Sequence, residues 1–515
     1  MQRALIAILA AWLTLAAAPA RALTLEQAMA DPDWIGSPVE QAYWSVDGLH
    51  LYYRLKQTGS SVRDLHRVDL ATGKDSVVDA QAMANADGAD PVFDRSHARA
   101  AFVRNGDVFL REVAGGRLVQ VTRTPEPEAS PQFSADGRAL QYRRGNDWFV
   151  YDIAGGISGP AAIVKADKDP EAKKPDELGQ QQLRYFSTLR QVKTDREAQK
   201  RHADEFAHGD ATRAPLPFHI GDEVKIEGTS LSPDGRALLV VTSPKGYDAG
   251  KRGHLQRFVT ESGYEEQEEE RTRVGRADPA PQSLLLLDLA RHEQHKLDVA
   301  DLPGIHDDPL KAVREENRKL QRERGIETRS AAKEDDAADK DEKKNKDEKK
   351  DDQPKARAVR IVANTEDGGG GGIAWSEDGK SLAIQIRSID NKDRWIASVD
   401  IAAHKLVNQH RLTDSAWINW GFNEFGWEKD NRTLWYVSEE TGYAQLYAKA
   451  PGGKANALTR GQFEVSAPVQ SPDGRALLVV TSPKGYDAGK RGHLQRFVTE
   501  SGYEEQEEER TRVGR

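Results

Sequence analysis

A short motif recurs along this chain and constrains its fold more than any other feature. It consists of an aromatic or apolar residue, a serine, one or two further residues and then Asp-Gly, with clear copies at residues 44–48, 133–137, 232–235 and 375–379. Asp-Gly supplies the positive φ that a tight hairpin turn needs. Apolar residues then alternate with a period of two, which is typical of a half-buried strand. The motif therefore predicts a series of antiparallel hairpins.

The spacing of these turns predicts how the hairpins are grouped. With degenerate copies at residues 93–95 and 427–431 included, successive turn aspartates are 47, 42, 98, 144 and 52 residues apart. Two hairpins make the four strands of one propeller blade, a unit of roughly 40–50 residues. We therefore predict an all-β fold, a β-propeller of about seven blades, complete or incomplete. An unrelated β-sandwich is the alternative, whereas a parallel α/β sheet does not fit because helices do not separate the strands.

Residues 23–470 form the predicted propeller, and two insertions interrupt it, at 166–215 and 306–357. Within the first, residues 176–206 are predicted to be helical, with apolar residues on one side. The second begins with a charged helix at 309–325. It then enters a linker in which 17 of the 20 residues from Lys333 to Asp352 are charged. Such a composition cannot build a core, so we expect this linker to be disordered.

The first 22 residues predict a cleaved signal peptide. Arg3 provides the positive start, residues 4–18 are apolar, and residues 20–22 read Ala-Arg-Ala, which fits an A-x-A cleavage site. An uncleaved anchor is the alternative. No later segment reaches the ~18 apolar residues of a spanning helix, so we expect no membrane span after cleavage. The predicted location is periplasmic or secreted.

Residues 471–515 repeat residues 232–276 letter for letter. Structural repeats keep their turn and core positions and diverge elsewhere, so identity at exposed positions has no physical reason. A very recent duplication or a joining error in the sequence explains the identity, and we favour the joining error. On this interpretation, the segment that should follow Gln470 is missing.

The chain offers little catalytic chemistry. It contains no cysteine and no Gly-x-Ser-x-Gly elbow, so neither common form of activated nucleophile is evident. His292 and His295 have i, i+3 spacing, but they lie in a polar turn without a third ligand, and we interpret them as solvated turn residues. We assign no catalytic residue, no metal and no cofactor. The net charge of −9 argues against a nucleic-acid partner.

The densest acidic cluster spans residues 265–270, between Tyr264 and Arg271. Its functional interpretation is an acidic wall that pairs with a cationic group, such as the N-terminal ammonium of a peptide. A solvated, charged turn or helix face is the alternative.

Several longer stretches resemble one family. They are residues 211–215 ahead of the motif at 231–235, residues 258–264 leading to 271–275, and residues 424–427 continuing through 434–436 to 439–443. These stretches resemble the propeller of the prolyl oligopeptidase family of serine peptidases, in its dipeptidyl-peptidase IV and acylaminoacyl-peptidase-like branch. The resemblance covers roughly residues 25–470.

The resemblance implies that the propeller and a second domain have different functions. In that family the propeller caps a C-terminal α/β-hydrolase domain with a Ser-Asp-His triad, filters peptides by size and, in dipeptidyl-peptidases, holds the free N-terminus with paired glutamates. Glu265 and Glu266 are the candidates for that pair. The hydrolase domain is absent from this sequence, so we expect the chain to be inactive alone.

Two functions remain open at this point. The first is the substrate-gating propeller of an exported serine peptidase that acts on short peptides. These peptide substrates would be its partners, by way of the missing hydrolase domain. The alternative is a non-catalytic periplasmic propeller that serves as a protein-binding scaffold, similar to the Tol-system type. The sequence leaves peptide specificity and oligomeric state undetermined.

Overall fold

The computed structural model describes Leu25 and residues 36–170, 177–209, 213–248, 252–272, 279–323, 356–361, 371–481, 493–498 and 502–504. The predicted signal peptide and the charged linker at 333–352 lie outside the described residues. Most of the repeated tail after residue 481 lies outside them as well. The chain divides into two compact units, one of residues 1–92 and 98–122, the other of residues 93–97 and 123–515.

The first unit is built on two four-stranded sheets that run in chain order. The first sheet contains β1 (Val39–Trp44), β2 (His50–Lys56), β3 (Arg63–Asp69) and β4 (Asp75–Val77). The short helix α1 (Ala80–Met83) follows. The second sheet contains β5 (Val92–Phe93), which ends one residue beyond this unit, followed by β6 (Arg99–Arg104), β7 (Asp107–Glu112) and β8 (Leu118–Gln120). A small core of Tyr52, Leu65 and Ala86 packs beneath the first sheet.

The second unit begins with a third four-stranded sheet and a helical insertion. The sheet contains β9 (Glu128–Phe133), β10 (Ala139–Arg144), β11 (Asp147–Asp152) and β12 (Ser158–Ala162). The insertion holds α2 (Glu177–Tyr185) and α3 (Ser187–Gly209), flanked by the parallel pair β13 (Val164–Lys165) and β14 (Phe218–His219). The helix predicted for residues 176–206 is thus confirmed as two helices that break at Phe186. Apolar side chains on both helices are exposed, since Leu178 keeps 62% and Leu189 keeps 40% of its surface accessible.

The fourth sheet contains an inserted ribbon. Its strands are β15 (Val224–Leu231), β16 (Ala237–Pro244), β19 (Ser283–Asp288) and β20 (Glu293–Leu297), and the ribbon between its second and third strands is β17 (Arg252–Arg257) with β18 (Glu266–Thr272). The helix α4 (Lys311–Glu323) follows this sheet. No helix within the described ranges is long and apolar enough to cross a bilayer.

Three further sheets complete the second unit. The fifth contains β21 (Val359–Ile361), β22 (Ile373–Trp375), β23 (Leu382–Ser388), β24 (Asp393–Asp400) and β25 (Lys405–Thr413). The sixth contains β26 (Phe425–Trp427), β27 (Leu434–Ser438), β28 (Gln445–Lys449) and β29 (Asn456–Ala457). The seventh contains β30 (Val465–Gln470), β31 (Ala476–Thr481), β32 (His493–Val498) and β33 (Gly502–Glu504).

The recurring Ser-x-Asp-Gly motif closes the first hairpin of its sheet with the same hydrogen bonds each time. In the fourth sheet, the Ser232 hydroxyl donates to Asp234 Oδ1 at 2.6 Å and accepts from the Ala237 amide at 2.9 Å. Gly235 takes a φ of +72°, which a residue with a Cβ rarely adopts. Equivalent turns lie at residues 45–50, 134–139, 376–381 and 471–476.

Packing in the second unit follows from the alternation along each strand. Leu238 and Val240 of β16 join a cluster with Trp148 of the third sheet, while Leu239 joins a cluster with Trp395 of the fifth sheet. The fourth sheet therefore buries both faces between neighbouring sheets. Seven blade-type antiparallel sheets occur among the described residues, and they confirm the predicted all-β, β-propeller fold class.

Candidate functional site

The predicted pair Glu265 and Glu266 lies on the ribbon of the fourth sheet. Both residues are exposed. Glu266 is the first residue of β18, and Glu265 directly precedes it. The Ser262 hydroxyl donates to Glu266 Oε1 at 2.8 Å. Across the ribbon, Arg257 is the strand partner of Glu266 and forms a 2.8 Å ion pair with Glu268. Both carboxylates are therefore exposed to water where the hairpin turn of the ribbon enters β18.

A cavity of about 690 Å³ lies near the base of this ribbon, at the end of β16. Its lining carries one carboxylate, two ammonium groups and an aromatic ring, from Glu227, Lys225, Lys245 and Tyr247. Glu227 accepts a 2.5 Å hydrogen bond from the Ser243 hydroxyl and a 3.2 Å contact from Lys225 Nζ. Burial opposes ionisation of Glu227, but these two partners outweigh it and lower the pKa of its carboxyl. The cavity thus holds both signs of charge at neutral pH.

A buried charged cluster that was not predicted from the sequence lies between the fifth and sixth sheets. At its centre is Arg394, near the start of β24, which is completely buried. Its guanidinium donates to the carbonyl oxygens of Phe422 and Val437, each at 2.9 Å. Burial lowers the pKa of Arg394 to about 10, although the charge of Glu439 works in the opposite direction. Arg394 therefore ties its own sheet to the next one.

Two adjacent glutamates of this cluster have opposite properties. Glu439 is half-buried, and that burial raises the pKa of its carboxyl. Glu440 accepts a 2.8 Å hydrogen bond from His410 Nε2, which lowers its pKa. Burial in turn lowers the pKa of His410, against the effect of Glu440. We call Arg394, His410, Glu439 and Glu440 the Arg394 cluster.

Ser438, His410 and Glu440 include the residue types of a hydrolytic triad, but their geometry excludes that role. A triad needs one imidazole nitrogen on the serine and the other on the carboxylate. Here the Ser438 hydroxyl lies 3.3 Å from His410 Nε2, the same nitrogen that contacts Glu440. Ser438 is also fully buried. The three residues cannot relay a proton to a substrate, and the Arg394 cluster is a buried link between sheets.

Two features of the sequence point to this cluster, although the alternation of apolar residues with a period of two does not reveal them. Arg394 directly precedes the mostly apolar run Trp395–Val399 of β24, and a charged residue at a buried strand position needs partners. Glu439-Glu440 stands directly after the last strand residue of β27. Within the ranges that the structure describes, no group of three or more His, Asp or Glu side chains is placed to hold a metal ion.

These sheets define a β-propeller protein, and one family model matches part of it. Residues 354–484 match the N-terminal region of dipeptidyl peptidase IV (DPP IV). The matched range contains the fifth and sixth sheets and the first two strands of the seventh. The resemblance predicted from the sequence is confirmed over this range.

Similar solved structures include dipeptidyl peptidase 4 from Porphyromonas gingivalis, with a TM-score of 0.45 and 11% sequence identity. That match covers 92% of this chain and 54% of the other, so this chain spans about half the length of that protein. Another is TolB from Acinetobacter baumannii, with a TM-score of 0.31, 11% identity and coverage of 90% of this chain and 76% of the other. No curated protein matches the chain in sequence.

Proposed function

We propose that this chain is the propeller portion of an exported serine peptidase that acts on short peptides, and that the propeller governs which peptides reach the catalytic domain. The observation that carries the proposal is the match of residues 354–484 to the DPP IV N-terminal region. The signal-like first 22 residues support export to the periplasm or the exterior. On this proposal the hydrolase domain supplies the nucleophile and its base.

The charges around the ribbon support a peptide as the ligand. A short peptide carries an ammonium at one end and a carboxylate at the other. The cavity at the ribbon base offers Glu227 for the first group and Lys225 with Lys245 for the second. Glu265 and Glu266 would bind the ammonium of a peptide that approaches along the ribbon. Since both are exposed, water and salt screen them, and their contribution should be small.

The first experiment measures peptide binding to the full chain. We expect a free alanyl-alanine dipeptide to shift amide resonances saturably, with a Kd on the order of 1 mM. Its N-acetylated form lacks the ammonium and should bind more weakly. The double variant Glu265→Gln, Glu266→Gln should weaken the free dipeptide by roughly twofold to fivefold. Binding of the acetylated form should stay unchanged.

Glu261→Gln is the matched control, because Glu261 is an exposed glutamate in the same hairpin turn. It should leave both affinities as they are. If neither dipeptide binds the unmodified chain, the peptidase proposal is contradicted. If both bind but the double variant has no effect, only the role of Glu265 and Glu266 is wrong.

A second measurement concerns catalysis. The full chain should not release nitroaniline from aminoacyl- or dipeptidyl-nitroanilides, and a serine-directed phosphonate should label no serine. Hydrolysis blocked by that phosphonate would overturn the assignment of chemistry to another domain. A defined protein partner, bound by a chain that ignores peptides, would instead favour the scaffold function.

A further inference from the structure

A second turn recurs in this protein, at the start of the last hairpin of several sheets. It reads as an acidic residue, an apolar residue, alanine, any residue and then glycine, at 69–73, 112–116 and 152–156. The final glycines have φ values of +68°, +65° and +69°. In the fourth and fifth sheets the same position is held by His292 and His404, at +54° and +53°. A residue with a Cβ is strained there, so each histidine carries a conformational cost that glycine would avoid.

The ring of His404 reaches the neighbouring sheet. It stacks on His295 of β20, with ring centroids 3.4 Å apart and planes inclined by 8°. His292, in the equivalent turn, instead places its ring against Phe218 in the core of the second unit, at 4.0 Å. The two strained histidines therefore do different things. His292 packs against a core residue, whereas His404 forms part of a cavity wall.

That cavity lies between the fourth and fifth sheets and has a volume of about 580 Å³. Its lining combines apolar atoms, including those of Leu286 and Ile401, with the stacked imidazoles. Three cationic side chains also line the cavity: Arg236, Arg291 and Lys380. A volume of this size suits a small organic molecule.

The two carboxylates in the lining are engaged with their own turns. Asp288 Oδ1 accepts from the amides of Ala290 and Arg291, each at 2.9 Å. Asp234 Oδ1 accepts from the Ser232 hydroxyl at 2.6 Å and from the Arg236 amide at 3.1 Å. The nearest approach of the Arg291 guanidinium to Asp288 is 3.7 Å. Lys380 Nζ lies 4.0 Å from Asp378, and His295 Nε2 lies 3.4 Å from Glu293. The Arg291 and Lys380 ion pairs are both longer than a hydrogen bond, so the donors of these two side chains can turn to a ligand.

We propose that this cavity binds a small organic anion, with a carboxylate or phosphate group held by Arg291, Lys380 and the His295–His404 pair and an apolar body against the sheet edges. Guanidinium and imidazole donors suit both anionic groups. The strained backbone at His404 is then explained, because glycine would satisfy the turn but supply no ring. This site is separate from the ribbon and does not depend on the peptide-binding proposal.

Titration of the full chain tests the site, with imidazole and arginine side-chain resonances followed by NMR. The probes are benzoate, phenyl phosphate, inorganic phosphate and neutral benzyl alcohol. We expect saturable shifts at His295 and His404 with benzoate or phenyl phosphate and none with benzyl alcohol. Stronger binding of benzoate identifies a carboxylate ligand, and stronger binding of phenyl phosphate identifies a phosphate ligand.

The informative variant is His404→Gly. It relieves the strained φ, so the chain should unfold at an equal or higher urea concentration, while the affinity for the anion should fall at least fivefold. Arg291→Gln should weaken binding similarly. His292→Gly changes the same turn position in the other sheet and should leave affinity unchanged. Arg138→Gln, at the motif position equivalent to Arg236 and Lys380, should also have no effect.

Two results would overturn the proposal. One is the absence of saturable shifts with any anion up to about 10 mM. The other is binding that survives both His404→Gly and Arg291→Gln, since it would place the anion elsewhere on the chain.

Discussion

At the scale of single residues, glycine in the Ser-x-Asp-Gly turn has two distinct duties. Its positive φ is needed in every copy, and in the degenerate copies His97 and Asn431 take that conformation instead. At Gly379 a second requirement appears, because a Cβ there would lie 2.5 Å from the backbone nitrogen of Asp234 in the neighbouring sheet. At Gly235 the nearest atom would be Gln141 Nε2, at an ordinary 3.6 Å.

This difference predicts unequal costs for the same substitution. Gly235→Ala should lower the free energy of unfolding by about 1–2 kcal/mol, because of backbone strain alone. Gly379→Ala adds a clash with backbone that cannot rotate away, so we expect a total of roughly 3 kcal/mol or more. Both residues belong to the second unit, and urea midpoints of the two variants can be compared directly. Equal midpoints would show that the sheets move apart freely at this turn.

At the scale of elements, the repeated segment separates the effect of sequence from that of surroundings. β16 and the identical strand β31 both form the second strand of a sheet, as their alternation predicts. Their neighbours differ, since β16 pairs with the leucine-rich β19 whereas β31 pairs with β32. Leu239 is fully buried, but its counterpart Leu478 is 39% exposed. Local sequence thus determines the strand, and the adjoining sheet determines how much is buried.

Leu239→Ala and Leu478→Ala are therefore a matched pair in identical local sequence. The first leaves a cavity in the core cluster that also contains Trp395 and should lower the free energy of unfolding by about 2–5 kcal/mol. The second removes a partly exposed side chain and should cost roughly 1 kcal/mol or less. Chemical denaturation of both variants gives the comparison. A larger loss at Leu478 would mean that its face is covered in solution.

At the scale of the whole molecule, the fold was more predictable from sequence than the site. The turn motif predicts hairpins because its hydrogen bonds are local, and blade spacing then groups the hairpins into sheets. The Arg394 cluster was not predictable in this way. Its members come from β24, β25 and the end of β27, and only the packing of two sheets brings them together. The His295–His404 contact likewise depends on a neighbouring sheet, so spacing within one segment carried no sign of it.

The Arg394 cluster should also be visible in the acid response of the chain. Burial lowers the pKa of His410 below its ordinary value of 6.5, so the unfolded chain takes up that proton first as the pH falls. The contribution of His410 to the free energy of unfolding therefore declines as the pH falls below about 6.5. The effect of Glu439 on stability has the opposite pH dependence. Because its pKa is raised, its contribution to the free energy of unfolding is complete at low pH and is lost as the pH rises through that pKa.

His410→Gln tests this sign, since glutamine can still hydrogen-bond Glu440 but does not titrate. Urea midpoints measured between about pH 7 and pH 5 should fall less steeply for this variant than for the unmodified chain. His254→Gln, on the exposed ribbon, is the control and should keep the original slope. An unchanged slope in His410→Gln would mean that water reaches the cluster and charges His410 without cost. The link between the fifth and sixth sheets would then be open to solvent, and Arg394 would no longer be its buried centre.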